Sequence, residues 1–255
     1  MTRNEFKKRL GLLQEAIMRG LAYYTVWSKL RLHDKAAVSW SVEEQNQLLG
    51  RFRGLFTPVS LALMDMALME FAKVFDRRRG TVSLSNLLLA ARQDASLVPH
   101  QESNEVDEVS RQLRQQKNVL KRLKRRRDKW LAHVDANPGP VDPIMSQEVE
   151  SLSEDIKSAF NRLSAAHDRS IIAWDFPLRT SAEHTTDVLG ILLEEIERKQ
   201  KQHEDAMVRI VLEDIRRQEK LIDRPLNQEE MQSVKQSYGL TEEQRQRIEE
   251  EYGPR

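Results

Sequence analysis

No cysteine occurs in the 255 residues. That excludes a disulfide framework, a thiolate nucleophile and any cysteine-ligated zinc site. Glycine and proline are scarce, at 9 and 8 residues. A β-sandwich or barrel needs a turn roughly every 8–12 residues, and that supply of turn residues is missing. No run approaches 18 apolar residues, and Met1 to Leu10 holds no apolar stretch fit for a signal peptide. The expectation is a soluble, cytoplasmic protein with no membrane partner. There is no Gly-rich phosphate loop, no nucleophile elbow and no His-Glu-x-x-His zinc motif. What the chain has in quantity is charge. Charged residues make up 32%, above the ~25% of ordinary globular domains, and hydrophobic residues 39%.

Apolar residues recur with the period of an α-helix. Phe6, Leu10, Leu13, Ile17, Leu21, Tyr24 and Trp27 step by three or four, predicting one amphipathic helix from Arg3 to Arg31. Ser41 and Glu44 form a capping-box pattern for a second helix reaching about Phe75, with a kink at Pro58. From Val59 to Phe75 that helix is apolar on most sides, which predicts a fully buried core helix. Asp76 to Gly80 interrupts the pattern. A short helix carrying Leu84, Leu87 and Leu88 follows Ser83, and a longer one runs from Glu105 to Asp135. Further helices are expected from Ser146 to His167 and from Ser181 to Ile222. The segment 170–179 between them reads as a buried loop or a short strand. Asn227 and Thr241 look like N-caps of two terminal helices, Thr241 with Gln244 as a capping box. Glu197 to Asp205 has no apolar residue, so the long helix cannot dock on a core there, and its stripe resumes at Met207, Val211, Ile215 and Ile222. This places a bundle in residues 1–196 and a charged helical extension in 197–255.

The formal net charge of +1 hides an asymmetry. Between Arg111 and Lys129 lie ten basic residues and one acid, Asp128, a local charge of +9 that leaves −8 for the rest of the chain. Such a run is either a solvated helix face or a phosphate-binding surface, where a dense positive field concentrates a polyanion and makes its binding salt-dependent.

Directly after the run stands Arg126-Arg127-Asp128-Lys129-Trp130-Leu131-Ala132-His133. This resembles the Arg, four to six residues, His motif of the HEPN superfamily, and more narrowly the HEPN domain of the abortive-infection U-type phage-resistance proteins. Arg127 and His133 have five residues between them, with Asp128 in the polar place after the arginine; Arg126 also fits, with six between. The context is similar too: a helical stretch ending in Phe75-Asp76, then Ser83-Leu84 and Leu87-Leu88, then the motif. The resemblance covers residues 10 to 195. It implies an all-α, HEPN-like helical bundle, and a metal-independent endoribonuclease acting in phage defence or as a toxin. Its site would be composite, formed by two copies of the motif at a homodimer interface. By the same resemblance, Arg127, His133 and Asp128 would be catalytic, with no cofactor and no metal, and a neutralising antitoxin protein would be a possible partner. Lys121, Arg122, Lys124, Arg125, Arg126 and Lys129 would bind RNA. The alternative is a non-catalytic HEPN-like module that binds RNA or a protein.

The chemistry is consistent with those residue types. RNA carries its own nucleophile, the 2′-hydroxyl, so cleavage needs a base, an acid and charge stabilisation. Histidine titrates near neutrality, and arginine grips a phosphate with a rigid fork. On an ideal α-helix, residues 127 and 133 lie about 120° apart and residues 126 and 133 about 20° apart. Blander roles compete. His133 could cap a helix C-terminus. Trp130 reads as core rather than a base-stacking platform. The His167-Asp168 doublet would suit a metal only with two further ligands, and His203-Glu204-Asp205 reads as solvated surface. A helix stripe that cannot reach its own bundle, from Met207 to Ile222, is a candidate for dimer contacts.

Overall fold

The structure is a computed structural model that describes residues 1–30, 42–78, 80–102, 104–131 and 142–252. Ten α-helices and no strand occur among the described residues: α1 (Arg3–Leu30), α2 (Val42–Arg51), α3 (Arg53–Val74), α4 (Leu84–Gln93), α5 (Glu105–Gln115), α6 (Lys117–Arg126), α7 (Ser146–Asp168), α8 (Asp175–Ile222), α9 (Gln228–Ser237) and α10 (Glu242–Tyr252). The all-α class is as the periodicity predicts. Contacts divide the chain into residues 1–188 and 189–255, a boundary eight residues before the expected one at Ile196.

The first unit is built on α1 and α3. The α1 stripe Phe6, Leu10, Leu13, Ile17, Leu21 and Trp27 is buried. Gly20 lets α3 approach: a Cβ there would stand 2.8 Å from Phe71 Cε1 and 3.2 Å from Glu70 Cβ. On the far side, α7 contributes Val149, Leu152, Ile156, Ala159, Phe160 and Leu163 to the same core. Ser83 caps α4 by accepting a hydrogen bond from the Asn86 amide at 3.2 Å, and Leu84, Leu87 and Leu88 are buried as expected.

Several expectations are corrected. The second predicted helix is two, and the break falls at Phe52 instead of Pro58, which sits inside α3. Helix α3 is not buried all round. It has a mean hydropathy of 1.4 over 18 residues, long and apolar enough to cross a membrane by length and composition. In this fold Ala67, Leu68, Phe71 and Val74 enter the core, whereas Leu55, Val59, Ala62 and Met66 are exposed. Those four follow a 4-3-4 spacing and so form one stripe. The predicted helix 105–135 breaks at Gln116, whose side-chain amide donates to Asp155 Oδ2 at 2.6 Å. Segment 169–174 is a loop. Asn161 holds it by donating to the Ile172 carbonyl and accepting from the Ile172 amide, at 2.9 and 3.1 Å. Helix α8 starts at Asp175, six residues earlier than the spacing predicts, with Pro177 in its first turn. The expected cap at Ser41 lies outside the described residues.

The second unit has its own core. Val208, Val211, Leu212 and Ile215 of α8 meet Val234 of α9, Leu240, and Ile248 of α10. Asn227 and Thr241 cap α9 and α10, each in a reciprocal pair with Glu230 and Gln244. From Met207 to Ile215 the stripe that resumes past the polar stretch is therefore covered by helices of its own unit, whereas Ile222 is exposed; the covered part gives no reason for assigning it to dimer contacts.

Candidate active site

Helix α6 sorts the basic run by angle. Val119 and Leu123 are buried and fix the inward face. Arg122 and Arg126, one turn apart, flank that face and are occupied. Arg122 donates to the Pro143 carbonyl at 2.6 Å and forms a short ion pair with Glu148. That bond, with the Met145 amide, holds the Glu148 carboxyl below the usual carboxylate range. Arg126 Nη2 bonds Asp65 of α3 at 2.9 Å. Lys117, Lys121, Lys124 and Arg125 lie on the opposite face. All four are exposed, with no ion pair among the described residues. One face of α6 thus ties the helix down and the other presents bare positive charge. Lys129 is partly buried.

The α-helix ends at Arg126, and Arg127–Leu131 forms a π-helical turn, with i→i+5 hydrogen bonds. The π-turn is wider than an α-turn, so a 100° step does not carry through the motif. His133 and the side chain of Trp130 lie outside the described residues.

Arg127 is buried, at 8% exposure. Its Nε donates to Asp128 Oδ1 at 2.7 Å, and its Nη1 donates to Asp76 Oδ2 at 3.1 Å. Nη2 lies 2.6 Å from Asp128 Oδ1 but without hydrogen-bond geometry, so its donors have no acceptor among the described residues. A buried guanidinium must be paired, because an uncompensated charge in a low-dielectric interior is costly. Two carboxylates provide the pairing here, Asp128 facing Nε and Nη2 and Asp76 facing Nη1.

Asp76 and Asp65 are the site residues that sequence reading passed over. Asp65 lies on α3 and bonds Arg126, and Asp76 lies just past the end of that helix and bonds Arg127. Their role follows from the need of two adjacent arginines for acids, which becomes evident only once Arg127 is known to be buried.

His167 is a core residue. It is buried at 2%, its Nδ1 lies 2.6 Å from the Leu97 carbonyl, and its ring packs on Phe6 at 5.1 Å. A carbonyl can only accept, so Nδ1 carries the proton. Asp168 turns instead to Ser170, whose hydroxyl and amide lower its pKa. Within His203-Glu204-Asp205, His203 is exposed and Asp205 pairs with Arg247 at 2.8 Å. No cluster of three or more His, Asp or Glu side chains suited to a metal occurs among the described residues.

A family model, that of the HEPN domain described as AbiU2, matches residues 4–188. The chain belongs to the AbiU2 family of HEPN domains. The match ends at Val188, where the contacts also divide the chain. The HEPN domain is thus the first unit, and residues 189–255 lie outside the match. Comparison with curated proteins and with solved structures matches none. Membership in this HEPN family points to a ribonuclease or an abortive-infection role.

Proposed function

We propose that this HEPN domain is a metal-independent endoribonuclease of phage defence or a toxin, acting as a homodimer whose two Arg–His motifs share one cleft. The observation that carries the reading is Arg127: the motif arginine is a buried guanidinium fixed on two sides by the carboxylates of Asp76 and Asp128, next to the exposed basic face of α6. An arginine fixed by carboxylates is held in one orientation, and it meets a phosphate oxygen once the site opens to expose its buried Nη2. In the reaction His133 takes the proton of a 2′-hydroxyl. The 2′-oxygen then bonds to phosphorus and the bond to the 5′-oxygen breaks. The partner's His133 protonates the leaving oxygen, giving a 2′,3′-cyclic phosphate and a 5′-hydroxyl. Arg127 balances the phosphorane charge, and Asp128 orients Arg127.

The exposed stripe Leu55, Val59, Ala62 and Met66 supports a dimer. On the α3 helical wheel it lies beside Asp65, so the surface available to a second copy adjoins the motif. The exposed face of α6 would bring RNA to the cleft.

One observation favours the non-catalytic reading. The Arg127 clasp also serves stability alone, tying the end of α3 to the motif. Incubation of the protein with total RNA in EDTA separates the two. The nuclease reading expects cyclic-phosphate ends from wild type, and at least a ~100-fold loss in His133→Ala, in line with removal of a general acid–base group. Cleavage that needs added metal, or that survives His133→Ala, discards the mechanism. A folded wild-type protein that leaves RNA intact favours the non-catalytic module.

A further inference from the structure

The segment between α3 and α4 carries the run Arg77-Arg78-Arg79, of which Arg77 and Arg78 are exposed and have no ion pair among the described residues. Nothing in the sequence suggested a role for it beyond breaking a helix. Its backbone is nevertheless extensively hydrogen-bonded. The Arg78 amide donates to Asp76 Oδ1 at 3.1 Å. The Thr81 hydroxyl lies within hydrogen-bond reach of the Asp76 and Arg78 carbonyls, at 3.2 and 2.8 Å. From the first turn of α4, the Asn86 side-chain amide reaches the Arg78 carbonyl, the Thr81 carbonyl and the Thr81 hydroxyl at 3.0–3.1 Å. Gly80, at φ 86°, takes the left-handed turn that closes the loop.

Asp76 joins this loop to the candidate site. One carboxylate oxygen accepts from the loop amide of Arg78 and the other from Arg127. The backbone that carries the two exposed arginines is therefore tied to the buried one. Adjacent like charges on a pinned loop repel one another and gain nothing from the fold. Their energy improves when a polyanion lies across them.

We infer that Arg77 and Arg78 form a phosphate clamp that grips the RNA backbone next to the bond aligned by Arg127, with Asn86 and Thr81 as the residues that position it. This rests on the ribonuclease reading and adds to it a second binding surface, separate from α6. Each arginine takes one phosphodiester, so the clamp contributes about two counterions to the salt dependence, roughly 1.4 in the slope of log K against log salt for a single strand.

The test uses a fluorescein-labelled, uncleavable 2′-O-methyl oligouridine of about 20 nucleotides and the full-length protein, with anisotropy read across a salt series. The double variant Arg77→Ala/Arg78→Ala is expected to bind about tenfold more weakly at ~100 mM salt and to lose roughly 1.4 from the slope. The Lys/Lys variant keeps the charge and should recover most of the affinity. Asn86→Ala keeps both arginines but releases the loop, and should weaken binding with the slope retained. Lys7→Ala/Lys8→Ala removes the same charge from α1 and should change little. Equal losses in the Lys7/Lys8 control, or unchanged binding in the Arg77/Arg78 variant, overturn the clamp and leave the ribonuclease reading standing. A wild-type protein with no affinity for the oligonucleotide overturns both.

Discussion

Arg127 Nη1 stands 3.1 Å from Asp76 Oδ2, joining the first residue of the Arg–His motif to the loop that follows α3. The side chains are 9% and 17% exposed, so water screens the pair little. Removing one partner leaves a buried charge short of a counter-ion. Asp76→Ala should therefore cost about 2 kcal/mol or more in urea unfolding, since breaking buried ion pairs costs a few kcal/mol. Asp76→Asn keeps the acceptor for the loop amide and should cost less. Equal stability of Asp76→Ala and wild type would show that Arg127 finds its compensation elsewhere.

The two faces of α6 should separate by assay. Reversing Lys121, Lys124 and Arg125 to Glu should weaken RNA binding and flatten its salt dependence, with little change in the unfolding midpoint, because these side chains make no ion pair among the described residues. Arg122→Ala should act on the fold. Glu148 loses the bond that depresses its pKa, and an NMR titration should show that pKa rising toward the ordinary carboxylate value. The sign follows from linkage. A depressed carboxylate adds stability above its unfolded pKa and loses it as pH falls through the folded pKa, so the variant's deficit should be present at neutral pH and fade in acid. The opposite pattern, stability lost in the triple reversal and binding lost in Arg122→Ala, would assign the faces the other way round.

Gly20→Ala should destabilise the first unit. The added methyl would meet the Phe71 ring at 2.8 Å and the α3 side at Glu70, so the ring must tilt or the helices part. Overpacking of this kind costs roughly 1–3 kcal/mol, which outweighs the ~1 kcal/mol gained from alanine's helix propensity when the ring and α3 cannot both give way. A thermal midpoint raised in Gly20→Ala would show that Phe71 has room to move.

Assembly can be tested on α3. If the exposed stripe is the face that meets a second copy, Met66→Glu should give a monomer in light scattering and abolish RNA cleavage, with helix content by circular dichroism unchanged. A charge in the centre of an apolar interface is left without water or partner. A Met66→Glu protein that stays dimeric moves the interface elsewhere. One that is monomeric and still cleaves removes the composite site.

Much of this was legible in the sequence, and for a local reason. Helix positions, the caps at Ser83, Asn227 and Thr241, and the inward stripe of α1 follow from period and capping chemistry, which act over a few residues. The short Arg–His spacing, taken with the order of helices before it, carried the family. What the sequence could not decide depends on which helix lies against which. Leu55, Val59 and Met66 look like core by composition, yet α1 covers only one side of α3. The stripe at Met207 to Ile215 looks stranded until α9 and α10 fold back over it. Arg122, Lys124 and Arg127 are alike as letters. The tertiary structure makes the first a tether to α7, the second a bare charge and the third a buried clasp, because only packing sets which cation meets a carboxylate and which meets water.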